Sequence, residues 1–325
     1  CIGVGNGLDA LHLILSAYGI GPGDEVITTA NTWIATSETV SQCGARPIFV
    51  DVEEDFYNID SAKIEAKITP RTKAIMPVDL AGLPVDRDRL YEIAQRHQLR
   101  VIEDAAQSMG ANWRGKPIGS FGDLISISFH ANKNLTSGEG GCLVLNDESQ
   151  VPLFEKLRLQ GVVRFPDGGM DVDVAGGKAN LTDIAARIGL GQMPRIAEFT
   201  VKRRELARHY FAKLDPQLGL ELPPQDFVQS NWHMFQPLLP LDRLTISRGE
   251  FIEQMKQRQI GVGVHYPAMH LFTLYRQLGW KDGDYPHAED IGKRTVTLPL
   301  FPGMNLADVE RVCDAVSNIL RPALR

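Results

Sequence analysis

The sequence predicts an α/β fold: a large domain with a mostly parallel sheet flanked by helices, then a smaller C-terminal α+β domain. Three observations predict it. Short β-rich runs alternate with amphipathic helical runs through the first two thirds of the 325 residues. Turn words such as Gly21-Pro22-Gly23-Asp24 punctuate the alternation. The pattern changes after Thr182, where a long, charged helical run replaces it. The expected domains are 1–195 and 196–325, consistent with about 150 residues per domain.

Leu8 to Tyr18 is the first expected helix, with Leu8, Leu11 and Leu15 on one face. A strand over Glu25–Thr28, a helix over Ile34–Gln42 and a strand over Pro47–Val52 follow. Lys73–Val78 is the next strand, Asp86–Arg96 a helix, and Arg100–Glu103, Leu124–Phe129 and Cys142–Leu145 three more strands. Ile184 to about Lys213 is expected as one long helix, its charged part (Lys202, Arg203, Arg204, Glu205, Arg208) forming a solvated face. Strands near Met234–Leu239 and Gly261–Tyr266, and helices near Arg248–Arg258 and Leu306–Ile319, complete the small domain.

Acids outnumber bases 40 to 34, a net charge of −6, which argues against a nucleic-acid binder. No run approaches the roughly 20 apolar residues of a membrane helix, and no charged-then-apolar leader is evident. A cytoplasmic location and no membrane partner are therefore expected. The four cysteines, Cys1, Cys43, Cys142 and Cys313, form no C-x-x-C pair. Reduced thiols and no metal site are expected.

Ligands gather at the carboxyl ends of parallel strands, so three segments stand out. Gly5-Asn6-Gly7-Leu8-Asp9 precedes the first helix, whose free N–H groups and dipole can hold a phosphate. Val101-Ile102-Glu103-Asp104-Ala105-Ala106-Gln107 ends a strand in two acids. An acid there caps a helix or, if buried, faces a cation such as a pyridinium nitrogen. Ser128-Phe129-His130-Ala131-Asn132-Lys133 runs from a strand into a glycine-rich loop, Gly138-Glu139-Gly140-Gly141. A desolvated lysine at a strand end loses its proton and forms Schiff bases. His130 is expected as a packed structural histidine.

In this order and spacing, the three segments resemble the DegT/DnrJ/StrS family of nucleotide-sugar aminotransferases, pyridoxal 5′-phosphate (PLP) enzymes of the fold type I class. Gly177-Lys178-Ala179-Asn180-Leu181-Thr182-Asp183 and Thr297-Leu298-Pro299-Leu300-Phe301-Pro302 add two further matching words, and the similarity covers nearly the whole chain. The resemblance implies that Lys133 is the Schiff-base lysine and that Asp104 pairs with the pyridinium. It implies that Gln107 bonds the ring hydroxyl and that Trp33 stacks on the ring. The N–H groups of Leu8 and Asp9, with the Ser128 hydroxyl, would hold the phosphate. Asn180 would reach it from the other subunit, which implies a homodimer with shared sites. Many members have threonine where Leu8 stands, so one side-chain phosphate contact is lost. The chain also begins almost at this loop, where relatives carry a leading segment that helps shape the site.

The resemblance implies transfer of nitrogen from an amino acid, L-glutamate in this family, to a nucleotide-linked keto-sugar. Asn31-Thr32-Trp33 and the region of His265, Tyr266 and His270 stand closer to the branch aminating C4, which includes the enzyme of UDP-4-amino-4-deoxy-L-arabinose. Tyr266 and His270 either contact that substrate or pack as a strand end. PLP-dependent sugar dehydratases share the fold but have histidine in place of Lys133. A non-catalytic regulatory relative would normally have lost Lys133 or Asp104. The glycines do not complete G-x-G-x-x-G, so a dinucleotide fingerprint is absent.

Overall fold

A computed structural model gives the fold and describes residues 1–55 and 57–325. Seven strands form the main sheet: β1 (Ile2–Val4), β2 (Glu25–Thr29), β3 (Arg46–Val50), β4 (Thr72–Met76), β5 (Arg100–Asp104), β8 (Leu124–Ser128) and β9 (Gly141–Leu145). Between β5 and β8 lies a small hairpin of β6 (Asn112–Trp113) and β7 (Lys116–Pro117). The sheet order is β1-β9-β8-β5-β4-β2-β3. From β3 to β8 all pairs are parallel, while β9 runs antiparallel to β8 and β1. All five residues of β2 and of β8 are buried, as expected of strands covered on both faces.

Helices α1 (Gly7–Ala17), α2 (Ala35–Gln42), α3 (Arg87–Arg96) and α4 (Val151–Arg158) accompany the sheet. Asn6 caps α1 by accepting from the Asp9 N–H, and Asp86 caps α3 by accepting from the Arg89 N–H. Each such cap contributes about 1 kcal/mol. Of the α1 face predicted from Leu8, Leu11 and Leu15, the last two are buried with Leu13 and Ile14 against strands including Ile102, Leu124 and Leu143, while Leu8 is only half-buried.

The strands and helices of the large domain match their predicted positions within one or two residues. Unpredicted were β1, α4, the β6–β7 hairpin and a second hairpin, β10 (Val162–Arg164) with β11 (Met170–Val172). The predicted single helix from Ile184 to Lys213 is two helices. α5 (Asp183–Gln192) and α6 (Ile196–Lys213) are separated by a 3₁₀ turn over Met193–Arg195. Pro194 lacks an N–H and cannot continue the preceding helix. The solvated face predicted on α6 also needs correction. Lys202 and Glu205 do pair at the surface, but Arg203 is 5% exposed and faces inward.

The C-terminal part carries α7 (Arg248–Gln257), α8 (Thr273–Arg276), α9 (Pro286–Arg294) and α10 (Leu306–Leu320). Capping boxes open α7 (Ser247 with Glu250) and α10 (Asn305 with Asp308). The strands expected at Met234–Leu239 and Gly261–Tyr266 are absent. Isolated bridges stand there instead: Phe235 with Leu298, Leu238 with Thr295, and Gly263 with Thr297. Pro237, Pro240 and Pro267 donate nothing to a ladder, which limits these segments to single bridges. A core of Leu206, Tyr210, Phe235, Phe251, Val309 and Val316, among others, holds this part together. Among the described residues, no helix is long and apolar enough to cross a membrane. The four cysteines are free.

Candidate active site

The carboxyl ends of β2, β5 and β8 deliver Trp33, Asp104 and Ser128 to one edge of the sheet, and the loop after β8 adds Lys133. Asp104 is buried at the tip of β5. The Thr36 hydroxyl donates to its Oδ2 at 2.7 Å, and the Ala106 N–H donates to its Oδ1 at 3.2 Å. Burial pushes the Asp104 pKa up, opposed by these donors and by the charge of Lys133. Burial likewise pulls the Lys133 ammonium below its usual range, opposed by Asp104. The lysine is thus biased toward a free amine, the nucleophilic form.

At the start of α1, Gly7 abuts Ser128 so closely that a Cβ there would lie 2.9 Å from the Ser128 Cβ. The Ser126 hydroxyl donates to the Gly7 carbonyl at 2.9 Å, fastening the helix start to β8. The Gly7 and Leu8 N–H groups find no hydrogen-bond partner among the described residues. Asp9 differs from its predicted part: its N–H donates to the Asn6 side chain at 2.8 Å, and its carboxylate accepts from Asn6 Nδ2 at 3.1 Å. The N–H groups open to an anion are therefore those of Gly7 and Leu8, one residue earlier than predicted.

Trp33 is 56% exposed, and its ring centroid lies 5.8 Å from that of Tyr266. Gln107 is buried, accepting from the Ala81 N–H at 2.8 Å and donating to the Tyr266 hydroxyl at 3.5 Å. Asn180 bridges to Val4 on the sheet's outer edge, where its Oδ1 accepts from Lys178. That places it beside β1 of its own chain.

One histidine departs from expectation, and for another the structure selects between the two readings left open. The predicted packed His130 is 48% exposed, because β8 ends at Ser128 and the ring follows the loop outward to Asn132. His270 is fully buried, with Nε2 3.0 Å from Glu289, so it packs. Sequence reasoning missed Thr36, which holds the Asp104 carboxylate. It also missed His233, whose Nδ1 lies 3.0 Å from Asn134 Oδ1 beside Lys133. A threonine one helical turn after an aromatic carries no distinctive signal, and His233 reaches the site only through tertiary packing.

Residues 1–317 match the profile of the DegT/DnrJ/EryC1/StrS aminotransferase family. The chain belongs to that family. It is therefore a PLP-dependent aminotransferase of the fold type I class. The chain is 38% identical over 325 residues to the Bacillus subtilis spore coat polysaccharide biosynthesis protein SpsC, covering 97% of this chain and 84% of that one. It is 38% identical over 330 residues to a UDP-4-amino-4-deoxy-L-arabinose–oxoglutarate aminotransferase of Shewanella sediminis, covering 95% and 84%. Among solved structures, Spr1654 of Streptococcus pneumoniae, assigned as a sugar aminotransferase, superposes in its PLP form with a TM-score of 0.92 at 28% identity. That match covers all of this chain and 88% of the other, and the PMP form gives a TM-score of 0.94.

Proposed function

We propose that this family member moves an amino group from an amino acid, L-glutamate, to a nucleotide-linked keto-sugar, at C4. The observation that carries the reading is the juxtaposition of Lys133 with a buried Asp104 that, among the described residues, has no cation in hydrogen-bonding contact. The Shewanella relative, named for a 4-amino sugar and oxoglutarate, supports the C4 position and the donor.

The residues present fit PLP. The Gly7 and Leu8 N–H groups and the Ser128 hydroxyl form a cradle for its phosphate, with Gly7 leaving the room that a side chain would fill. Asp104 would accept a hydrogen bond from its protonated ring nitrogen, Gln107 would reach the ring hydroxyl, and Trp33 would offer an aromatic face. Asp9 contributes its carboxylate to fix Asn6. When bound, PLP supplies an electron sink for the carbon that loses or gains the amino group. Lys133 would hold the cofactor and would carry the proton to and from that carbon as general base and acid. Asp104 would keep the ring nitrogen protonated, and its burial would strengthen that ion pair. Thr36 holds the carboxylate in register.

The chain works as a homodimer in this reading. Phe165, Met170 and Val172 on the β10–β11 hairpin and Ile184, Ile188 and Leu190 on α5 are exposed apolar side chains on either side of Asn180. Covering them with a second copy buries the patch and carries Asn180 toward the partner subunit's phosphate cradle. We assign the large domain to 1–195 and the small domain to 196–325, and place the enzyme in the cytoplasm.

The test is the visible spectrum of the purified protein with PLP, before and after L-glutamate, followed by a panel of nucleotide keto-sugars. The expected result is a band that bleaches with glutamate and returns with a 4-keto-sugar. A band restored only by 3-keto-sugars would move the site of amination to C3. No band would refute the roles of Lys133 and Asp104.

A further inference from the structure

One short stretch of the C-terminal part, Ser230 to His233, hydrogen-bonds three loops of the large domain. Asn231 is fully buried at its centre. Its Nδ2 donates to the carbonyls of Gln107 and Met109 at 2.8 and 2.9 Å, and its Oδ1 accepts from the His233 N–H at 2.9 Å. The Asn231 N–H donates to the Gly82 carbonyl at 3.2 Å, and the His233 N–H also donates to the Ala81 carbonyl at 3.0 Å. His233 Nδ1 completes the set, 3.0 Å from Asn134 Oδ1.

The stretch is itself held from behind. Arg203 Nη1 donates to the carbonyls of Trp232, His233 and Leu300 at 3.2, 3.1 and 2.7 Å, and Arg204 Nε donates to that of Ser230 at 3.1 Å. Both arginines belong to α6, so the stretch is fastened to a long helix on one side and to the loops of the site on the other.

What these bonds decide is the direction of one amide. The Ala81 N–H faces Gln107 Oε1 at 2.8 Å. A backbone N–H only donates, so the end of the amide it meets must be the oxygen. That leaves Nε2 on the other side, 3.5 Å from the Tyr266 hydroxyl. Ala81 has φ 55, a left-handed conformation that a residue with a Cβ adopts at a cost, and Gly82 follows at φ 83. A Cβ on Gly82 would overlap Asn231 Oδ1. This turn aims the Ala81 N–H at Gln107, and Asn231 and His233 hold it by its two carbonyls.

We propose that Asn231 is a positioning residue for the reaction. It grips Gln107 twice, directly at its carbonyl and indirectly through the Ala81–Gly82 turn, and so keeps the amide's donor end toward the cofactor's ring hydroxyl. All polar groups of the Asn231 side chain are engaged, so it acts through Gln107. The proposal rests on the placement of Gln107 against that hydroxyl set out above. Turned end for end, the amide would set its oxygen against the ring oxygen instead of stabilising it.

The experiment titrates the visible band of the PLP-loaded protein against pH. The band changes as the proton between the Lys133 nitrogen and the ring oxygen leaves. A donor to that oxygen stabilises the deprotonated form and keeps the midpoint low. The groups within electrostatic reach of Lys133 or Asp104 (Asp79, His233, His265 and Tyr266) stay in place in every variant. Gln107→Ala should raise the midpoint by about half a unit or more, the scale of one hydrogen bond. Asn231→Ala should raise it comparably, and Asn231→Ser, a milder change, by less. Added to Gln107→Ala, Asn231→Ala should move it no further, a non-additivity that a generally loosened fold does not give.

An Asn231 variant that folds and binds PLP with the parent's midpoint would overturn the proposal. So would an Asn231 shift that is equally large without Gln107, or loss of folding in both Asn231 variants, which would make the residue structural. A midpoint that stays put in Gln107→Ala would instead fail the earlier placement of Gln107, and this proposal with it.

Discussion

Glu103 and Asp104 are consecutive on β5, both buried, and point to opposite faces of the sheet. Glu103 enters a closed ionic cluster. Arg87 meets it at 2.6 Å and meets Asp79 at 2.8 Å, while the Tyr91 hydroxyl donates to its other oxygen at 2.7 Å. Asp104 has a hydroxyl and one N–H, and only the more distant charge of Lys133. One carboxylate is compensated within the fold. The other is left electrostatically incomplete, and in the proposed reading a cationic cofactor ring completes it. Two acids with the same burial therefore divide into structure and site by their partners.

The comparison can be broken in order of expected effect. Lys133→Ala should lower transamination by at least about 10⁴-fold, the upper range for a lost acid–base group, while soluble, folded protein still retains PLP at its phosphate cradle. Single-turnover kinetics and the retained cofactor after gel filtration check this. Asp104→Asn should cost about 10²–10³-fold in rate, as loss of one preorganised electrostatic partner does. Its melting temperature should hold or rise, since a buried charge is removed. A variant that unfolds would place Asp104 with Glu103 as a structural acid.

Glu103→Gln should do the converse. It leaves Arg87 with Asp79 alone, and breaking a buried pair costs about 3–5 kcal/mol. Chemical denaturation should show that loss, with the rate per folded molecule nearly unchanged. A smaller effect concerns pH. Asp104 raises the Lys133 pKa against the larger downward pull of burial. Removing its charge should therefore shift Lys133 further down, so that PLP capture by Asp104→Asn persists to lower pH than in the parent. An acid limb moving upward would contradict the assigned proximity. Smallest, Asn180→Ala should weaken PLP retention severalfold. Mixing it with Lys133→Ala should restore some activity if the sites are shared, and no recovery would argue against sharing.

The large domain was legible because local chemistry agrees with the fold there. Caps at Asn6 and Asp86, turn glycines and buried strand runs all mark their own boundaries. Lys133 and Asp104 stood at strand ends, where the parallel topology itself selects them. The small domain was less legible, since its predicted strands are single bridges settled by contacts between distant segments. Arg203 shows the limit most clearly. In the sequence it sits in a charge run that reads as solvent-facing. Only the crossing of α6 over residues 232–233 and 300 turns it inward. His130 failed the other way, because its neighbours in sequence are apolar while its loop turns outward.

The close seating of Gly7 on Ser128 has a kinetic consequence. In the proposed reading, the fastening of α1 to β8 through Ser126 means that the phosphate cradle is built by the fold itself. Uptake then requires no loop to order, and the entropy of assembling the cradle is spent during folding, not during encounter. Association should be a single-step docking whose rate follows cofactor concentration linearly. Gly7→Ala, by wedging the helix start off the strand, would turn that socket into one that must first be re-formed.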